Sequence, residues 1–213
     1  MAQELKTQTP TPSVTPTPPP RMTYEEFLEW GDGMNAEWVD GEVILMSPPS
    51  LAHQRILSFL AALFQHFVEA NDLGEVLFAP FQMRLRKRPS GREPDVLFVA
   101  RDRLDKLQSA YLDGPADLAV EIISPDSRTR DRVEKYREYE QAGVREYWLI
   151  DPARELADFY QLNADGIYCQ VIIADDGIFR SKVIEGLWLK VDWLWQDPLP
   201  TLMSVLKEWG LVK

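Results

Sequence analysis

From Leu118 to Ile123 the chain is apolar at every position except Glu121. Such a run reads as a central strand, and a carboxylate inside it is costly to bury unless something pairs with it. Any fold this chain adopts must therefore bring a compensating charge to the middle of its sheet. An earlier strand, Val96-Leu97-Phe98-Val99, opens behind a second carboxylate, Asp95, and a helix-like segment after Glu121 offers Asp131 and Lys135 one turn apart.

The order of elements is legible around these acids. Residues 1–20 are rich in Pro and Thr and almost devoid of apolar side chains, as expected of a mobile tail; a single domain is expected over 21–213. Thr23 and Glu26 have capping-box spacing ahead of Phe27 and Leu28. Asp40-Gly41 turns a hairpin between Glu37 and Leu45, and Ile56, Leu60, Leu63, Phe64 and Phe67 fall at helical spacing between Ala52 and Ala70. Strands follow at 75–78, 82–86 and 95–99, then the strand bearing Glu121. A helix from Arg128 to Ala142 ends at Gly143, and Tyr147–Ile150 is the next strand. Strand, helix and strand with short connections predict a right-handed parallel crossover. Asp165-Gly166 and Asp176-Gly177 mark turns of an antiparallel extension, and Pro200 introduces a last helix.

Composition narrows the chemistry. The one cysteine, Cys169, excludes an intramolecular disulfide and a cysteine-based zinc site. No phosphate-cradling glycine loop and no Ser-His-Asp or Cys-His arrangement is present, which disfavours ATP hydrolysis and acyl transfer. The start lacks the apolar stretch of a signal peptide and no segment is long and apolar enough to span a bilayer, so a soluble, cytoplasmic protein is expected. The net charge of −11 opposes phosphate binding. Basic residues nevertheless gather at Arg84–Arg92 and Arg128–Arg137, on either side of the acids, as a solvated face or a nucleic-acid surface.

Two acids on strands and a nearby lysine are what a metal-dependent phosphodiesterase requires. Asp95 and Glu121, with the backbone carbonyl of Ile122, form an all-oxygen donor set for Mg²⁺, with Mn²⁺ as a substitute. The metal would polarise the phosphate and help generate hydroxide; Lys135 would orient that water or stabilise the pentavalent state. Glu37 is the candidate accessory acid that orients Lys135 or binds a second ion, with Glu42 the alternative across the same turn. Asp131, Lys135 and Tyr139 follow an i, i+4, i+8 pattern along one helical face. Arg92, Arg128, Arg130 and His53 are the candidate phosphate contacts. Each has a plainer reading: Asp95 starting a strand, Glu121 in a structural ion pair, Asp131 and Lys135 as an ordinary helix pair. Trp188, Trp193 and Trp195 read as packing at a core edge or a dimer contact rather than as base-stacking platforms.

Arg92-Glu93-Pro94-Asp95-Val96, Val120-Glu121-Ile122-Ile123-Ser124-Pro125, then Asp131, Lys135, Tyr139, Gly143-Val144 and Glu146-Tyr147-Trp148-Leu149-Ile150-Asp151-Pro152 closely resemble a large family of putative restriction endonucleases. That family is abundant in cyanobacteria and belongs to the PD-(D/E)XK nuclease superfamily. Glu37-Trp38-Val39-Asp40-Gly41-Glu42 followed by His53 is similar to its N-terminal signature. The resemblance implies an α/β fold: a restriction-endonuclease-like mixed β-sheet core flanked by α-helices, with an N-terminal hairpin and an antiparallel C-terminal extension. It also implies that Asp95 and Glu121 converge. The superfamily lysine normally stands two residues after the second acid, where this chain has Ile123; Lys135 on the following helix is the candidate for a migrated lysine. DNA is the expected substrate and a homodimer the expected assembly, because cutting a duplex often uses two sites. A non-cleaving nucleic-acid-binding module on the same fold, or a hydrolase of other phosphate esters, are the competing readings.

Overall fold

The computed structural model describes residues 21–31, 34–124 and 127–213; the Pro/Thr-rich segment 1–20 and Pro125 lie outside them. Thr23 caps α1 (Tyr24–Trp30) through the expected capping box, its hydroxyl accepting from the Glu26 N–H while the Glu26 carboxylate accepts from the Thr23 N–H. β1 (Ala36–Val39) and β2 (Glu42–Leu45) form the hairpin, with Asp40 and Gly41 at φ 49° and 91°, the left-handed pair that a two-residue turn between twisted strands requires. Ser50 caps the long α2 (Leu51–Asn71).

β3 (Gly74–Phe78), β4 (Gln82–Leu85), β5 (Ser90–Arg92), β6 (Val96–Ala100), β7 (Tyr111–Asp113) and β8 (Leu118–Ile122) follow. The chain is then helical from Arg128 to Ala142, as expected, but Arg130–Lys135 is wound as a π-helix before α3 (Tyr136–Ala142). Gly143 at φ 93° ends the helix. β9 (Glu146–Asp151), β10 (Leu156–Leu162), β11 (Tyr168–Gln170), β12 (Ile178–Arg180), β13 (Trp188–Lys190) and α4 (Leu202–Glu208) complete the molecule. Thr201, just after Pro200, caps α4. The C-terminal extension is divided: β11 pairs with β10, whereas β12 pairs with β13 in a separate ribbon.

The strands build a six-stranded sheet in the order β11-β10-β9-β8-β6-β3 and a five-stranded sheet in the order β2-β1-β5-β4-β7. In the larger sheet β8 and β9 are parallel, joined by the helical crossover, and the other pairs are antiparallel. β8 is buried on both faces. Its Leu118, Val120 and Ile122 join Phe98, Trp148 and the apolar face of α2, where Phe64 meets Trp148 edge-on with centroids 5.0 Å apart. Ala119 and Ile123 point the other way, to Tyr139, Val144 and Tyr147. Strand alternation assigns Glu121 to that second face, under the helix that carries Lys135. Removing each large side chain in these layers from water contributes about 1.5–3 kcal/mol.

The chain passes from the small sheet to the large one between β5 and β6, across Glu93-Pro94-Asp95. That passage is the seam at which residues from both sheets meet. No helix among the described residues is long and apolar enough to cross a membrane.

Candidate active site

Asp95 stands at the seam immediately before β6. Its Oδ2 accepts the Ile122 N–H at 2.6 Å and its Oδ1 lies 3.1 Å from His53 Nε2. The first contact locks the Asp95 carboxylate beside the end of β8; the second draws in α2. Glu121, one residue earlier on β8, is buried, with Oε2 2.8 Å from Lys135 Nζ and Oε1 accepting the Tyr139 hydroxyl at 2.7 Å. Lys135 is 1% exposed. Its ammonium also contacts Glu37 Oε1 at 2.8 Å and Asp131 Oδ1 at 3.5 Å. The structure thus brings together all four residues expected to carry the chemistry. Of the two candidate acids, Glu37 is the one that reaches Lys135; Glu42 is exposed on β2.

The π-helical turn explains how Asp131, Lys135 and Tyr139 share one inward face. A regular helix drifts by about a fifth of a turn over eight positions at 3.6 residues per turn; a turn that takes up an extra residue offsets that drift. Asp131 and Lys135 are accordingly both buried, as is Tyr139. Tyr139 is fully buried in the core and at the same time donates a hydrogen bond to Glu121.

Arg92 requires a correction. Expected at a phosphate, it is fully buried, bonded to Glu37 Oε2 at 2.8 Å and to both oxygens of Glu138 at 2.7 and 2.8 Å. It holds Glu37, which holds Lys135. Its neighbours in the two basic runs are also largely paired: Arg84 with Glu25, Arg86 with Asp113, Arg132 with Asp158. Arg128, partly exposed, lies 3.3 Å from Asp151, and Arg130 Nε is 3.8 Å from Glu37. His53, also expected at phosphate, faces Asp95 instead, leaving its Nδ1 without a hydrogen-bond partner.

The charges do not balance. One ammonium faces three carboxylates, Glu37, Glu121 and Asp131. Burial would raise the pKa of Glu37, but Lys135 and Arg92 beside it hold it down to about 2. Burial pushes Glu121 well above the ordinary carboxylate range despite Lys135, and Asp131, Asp95 and Glu37 add to the rise. Burial likewise raises Asp131. It opposes the charge on Lys135, yet the surrounding carboxylates hold that proton far more tightly than usual. The cluster is therefore short of positive charge on the side of Glu121 and Asp131, and Asp131 Oδ1 is buried without a hydrogen-bond partner.

Asp95, Glu121, Ile122, Asp131 and Lys135, together with His53, line a cleft of about 190 Å³. Sequence reasoning missed Glu93, which lines the same cleft. Its Oε1 accepts from Gln82 at 2.5 Å, its Oε2 has no partner, and burial raises its pKa to about 7. Its place two residues before Asp95 on an extended segment was the available signal. Among the described residues no three His, Cys, Asp or Glu side chains are grouped closely enough to hold a metal between them. Mg²⁺ binds oxygen donors and keeps several of its own waters, so an ion of that kind calls on few protein ligands.

The sequence profile of the Uma2 family, described as "Putative restriction endonuclease", matches residues 24–192. The chain belongs to the Uma2 family. The match spans the hairpin bearing Glu37, the acids Asp95 and Glu121, and the helix bearing Lys135. A related uncharacterized protein of Synechocystis sp. is 28% identical over 152 residues, 70% of this chain and 78% of that protein. A crystal structure described as a putative nuclease belonging to DUF820, from Anabaena variabilis, superposes with a TM-score of 0.69 at 18% identity, over 82% of this chain and 97% of the other. At that identity the likeness speaks to the fold, a mixed α/β arrangement shared by the Uma2 chain and this neighbour.

Proposed function

We propose that this chain is a metal-dependent endonuclease that hydrolyses DNA phosphodiester bonds. The observation that carries the reading is the Glu121–Lys135 pair set beside Asp95 in one cleft, with more carboxylate than cation around it. Asp95, Glu121 and the Ile122 carbonyl would hold Mg²⁺, or Mn²⁺ in its place. When bound, the metal supplies Lewis-acid polarisation of the phosphate and a water of lowered pKa.

The chain's own residues do the positioning. Lys135, fixed between Glu37 and Glu121, presents a fixed positive charge at the base of the cleft, where it stabilises charge developing on the phosphoryl oxygens and orients the attacking water. Tyr139 fixes the rotamer of Glu121, and the Ile122 N–H and His53 fix Asp95. Arg92 reaches the reaction only through Glu37 and is a positioning residue. Arg128 and Arg130, at the start of the helix that carries Lys135, would meet the DNA backbone. Two copies of the chain would supply the two sites that cutting a duplex uses.

The net charge and the internal pairing of the arginines favour, as a second reading, a module that binds nucleic acid without cutting it. Incubation of supercoiled and linear DNA with Mg²⁺, Mn²⁺ or EDTA, wild type beside Glu121→Gln, separates the two. Metal-dependent cutting lost in the variant supports the endonuclease; binding that persists in EDTA with no cutting by folded wild type in either metal supports the module.

A further inference from the structure

The first turns of α2 stand between two cavities. His53, Gln54 and Leu57 line the cleft of Asp95 and Glu121, while Leu51, Gln54 and Arg55 line a second cavity of about 580 Å³ on the other side of the helix. Gln54 borders both. The second cavity falls in the size range of small-molecule sites, about 300–1,000 Å³, and has their mixture of apolar wall and sparse polar groups.

Its most distinctive wall is Trp195. Trp188 is committed to Trp193 and Trp209, at centroid separations of 5.5 and 6.3 Å, whereas Trp195 has no ring partner among the described residues and borders the cavity half-buried. Leu51 at the mouth is 69% exposed, which is unusual for a large apolar side chain beside a cleft. Arg55 is exposed and 3.9 Å from Asp197, and Glu155 adds a second carboxylate to the lining.

We infer that this cavity receives an unstacked nucleobase of the strand whose phosphate occupies the cleft. The inference rests on the endonuclease reading and adds a substrate subsite to it. Trp195 supplies a face on which any base can stack. Glu155 and Asp197 repel a phosphate but accept hydrogen bonds from a base amino group, such as that of cytosine, so the base enters and the backbone stays outside near Arg55. The geometry is compatible: α2 is about 10–12 Å across, and duplex DNA rises about 3.4 Å per nucleotide along one strand. The base taken up lies on the order of three nucleotides from the scissile phosphate.

The test follows the indole N–H resonance of Trp195 in the full chain, assigned with Trp195→Phe, in EDTA to prevent cleavage. The probes are a short oligodeoxycytidine and the matching oligomer of abasic sugars, which carries the same phosphates without bases. The expected result is a shift with oligodeoxycytidine only, and about tenfold weaker binding of that oligomer by Leu51→Glu, a change at an exposed position that spares the fold. An equal shift with both oligomers, or none with either, overturns the assignment. Cleavage by wild type in Mg²⁺ distinguishes the failures. Cutting with a silent Trp195 sinks the base pocket alone, whereas neither cutting nor binding removes the endonuclease reading and the pocket with it.

Discussion

Replacing Lys135 with methionine removes the ammonium at the centre of the site while keeping most of the buried stem. The ammonium sits 2.8 Å from Glu37 and from Glu121 and 3.5 Å from Asp131. Glu37 alone is held from 4.5 down to about 2 by Lys135 and Arg92 acting against burial, a preference of about 3 kcal/mol for the charged form at 1.36 kcal/mol per unit. Lys135 supplies part of it, and Glu121 and Asp131 lose their cation as well. The sum is consistent with the roughly 3–5 kcal/mol that stranding a buried charge costs. For a domain of this size that is a fall in Tm of roughly 6–20 °C. The pH dependence carries the sign. Stability from the lowered Glu37 is present above about 4.5 and lost as pH falls through about 2. Glu121 and Asp131 are already raised by burial and rise further without Lys135, and stability from a raised carboxyl is complete below its unfolded pKa and lost as pH climbs through the folded one. The deficit of Lys135→Met should therefore be largest at pH 8 and smaller at pH 5, as read by thermal unfolding followed by circular dichroism. A variant that melts with wild type at pH 8, or whose deficit is the same at both pH values, would refute the charge-hub account.

Arg92→Met should lower stability by about 3–5 kcal/mol in urea unfolding, because Glu138 loses its bidentate partner in the interior and Glu37 keeps only Lys135 at hydrogen-bond distance; an unchanged midpoint would show that the guanidinium is dispensable. Glu93 has its pKa raised to about 7 by burial, so its charged form costs stability as pH rises through 7. Glu93→Gln should raise Tm at pH 8, by about 1–3 kcal/mol in free energy, and leave it unchanged at pH 5. Calorimetric titration should show Mg²⁺ affinity falling as pH is lowered, because protons compete for Glu121, whose pKa is raised by burial; Glu121→Gln should weaken it at least about tenfold. Arg128→Ala should reduce the salt dependence of DNA binding by about one phosphate contact. An unaltered slope would remove Arg128 from the interface.

Most of the fold was legible because its signals are local. The capping box at Thr23, the left-handed pair at Asp40-Gly41, the helical periodicity from Ile56 to Phe67 and the glycine at 143 each dictate backbone through their own chemistry. The acids were legible because Glu121 violates its surroundings, and a violated rule points to a partner. Arg92 was misread for the opposite reason: an arginine in a basic run looks solvated, and only tertiary pairing with Glu37 and Glu138, residues 55 and 46 positions away, reveals it as interior. The split of the C-terminal extension depends on which edge β12 meets, and turn residues do not encode that choice. The π-helical turn has no composition of its own; it becomes visible only once Lys135 and Asp131 must face the same way.

Because the site straddles a seam, its integrity depends on the less robust of its two halves. Glu37 belongs to the hairpin of the small sheet, whose neighbours Met22, Tyr24, Phe27, Ala36 and Trp38 form a far smaller core than the one around β8. Proteins open in cooperative pieces, the weakest first. A partial opening that lifts the N-terminal hairpin takes Glu37 from Lys135 while the large sheet, with Asp95 and Glu121 still beside each other, stays folded. The cluster around Lys135 thus comes apart before the large sheet melts, and its integrity reports whether the N-terminal unit is docked.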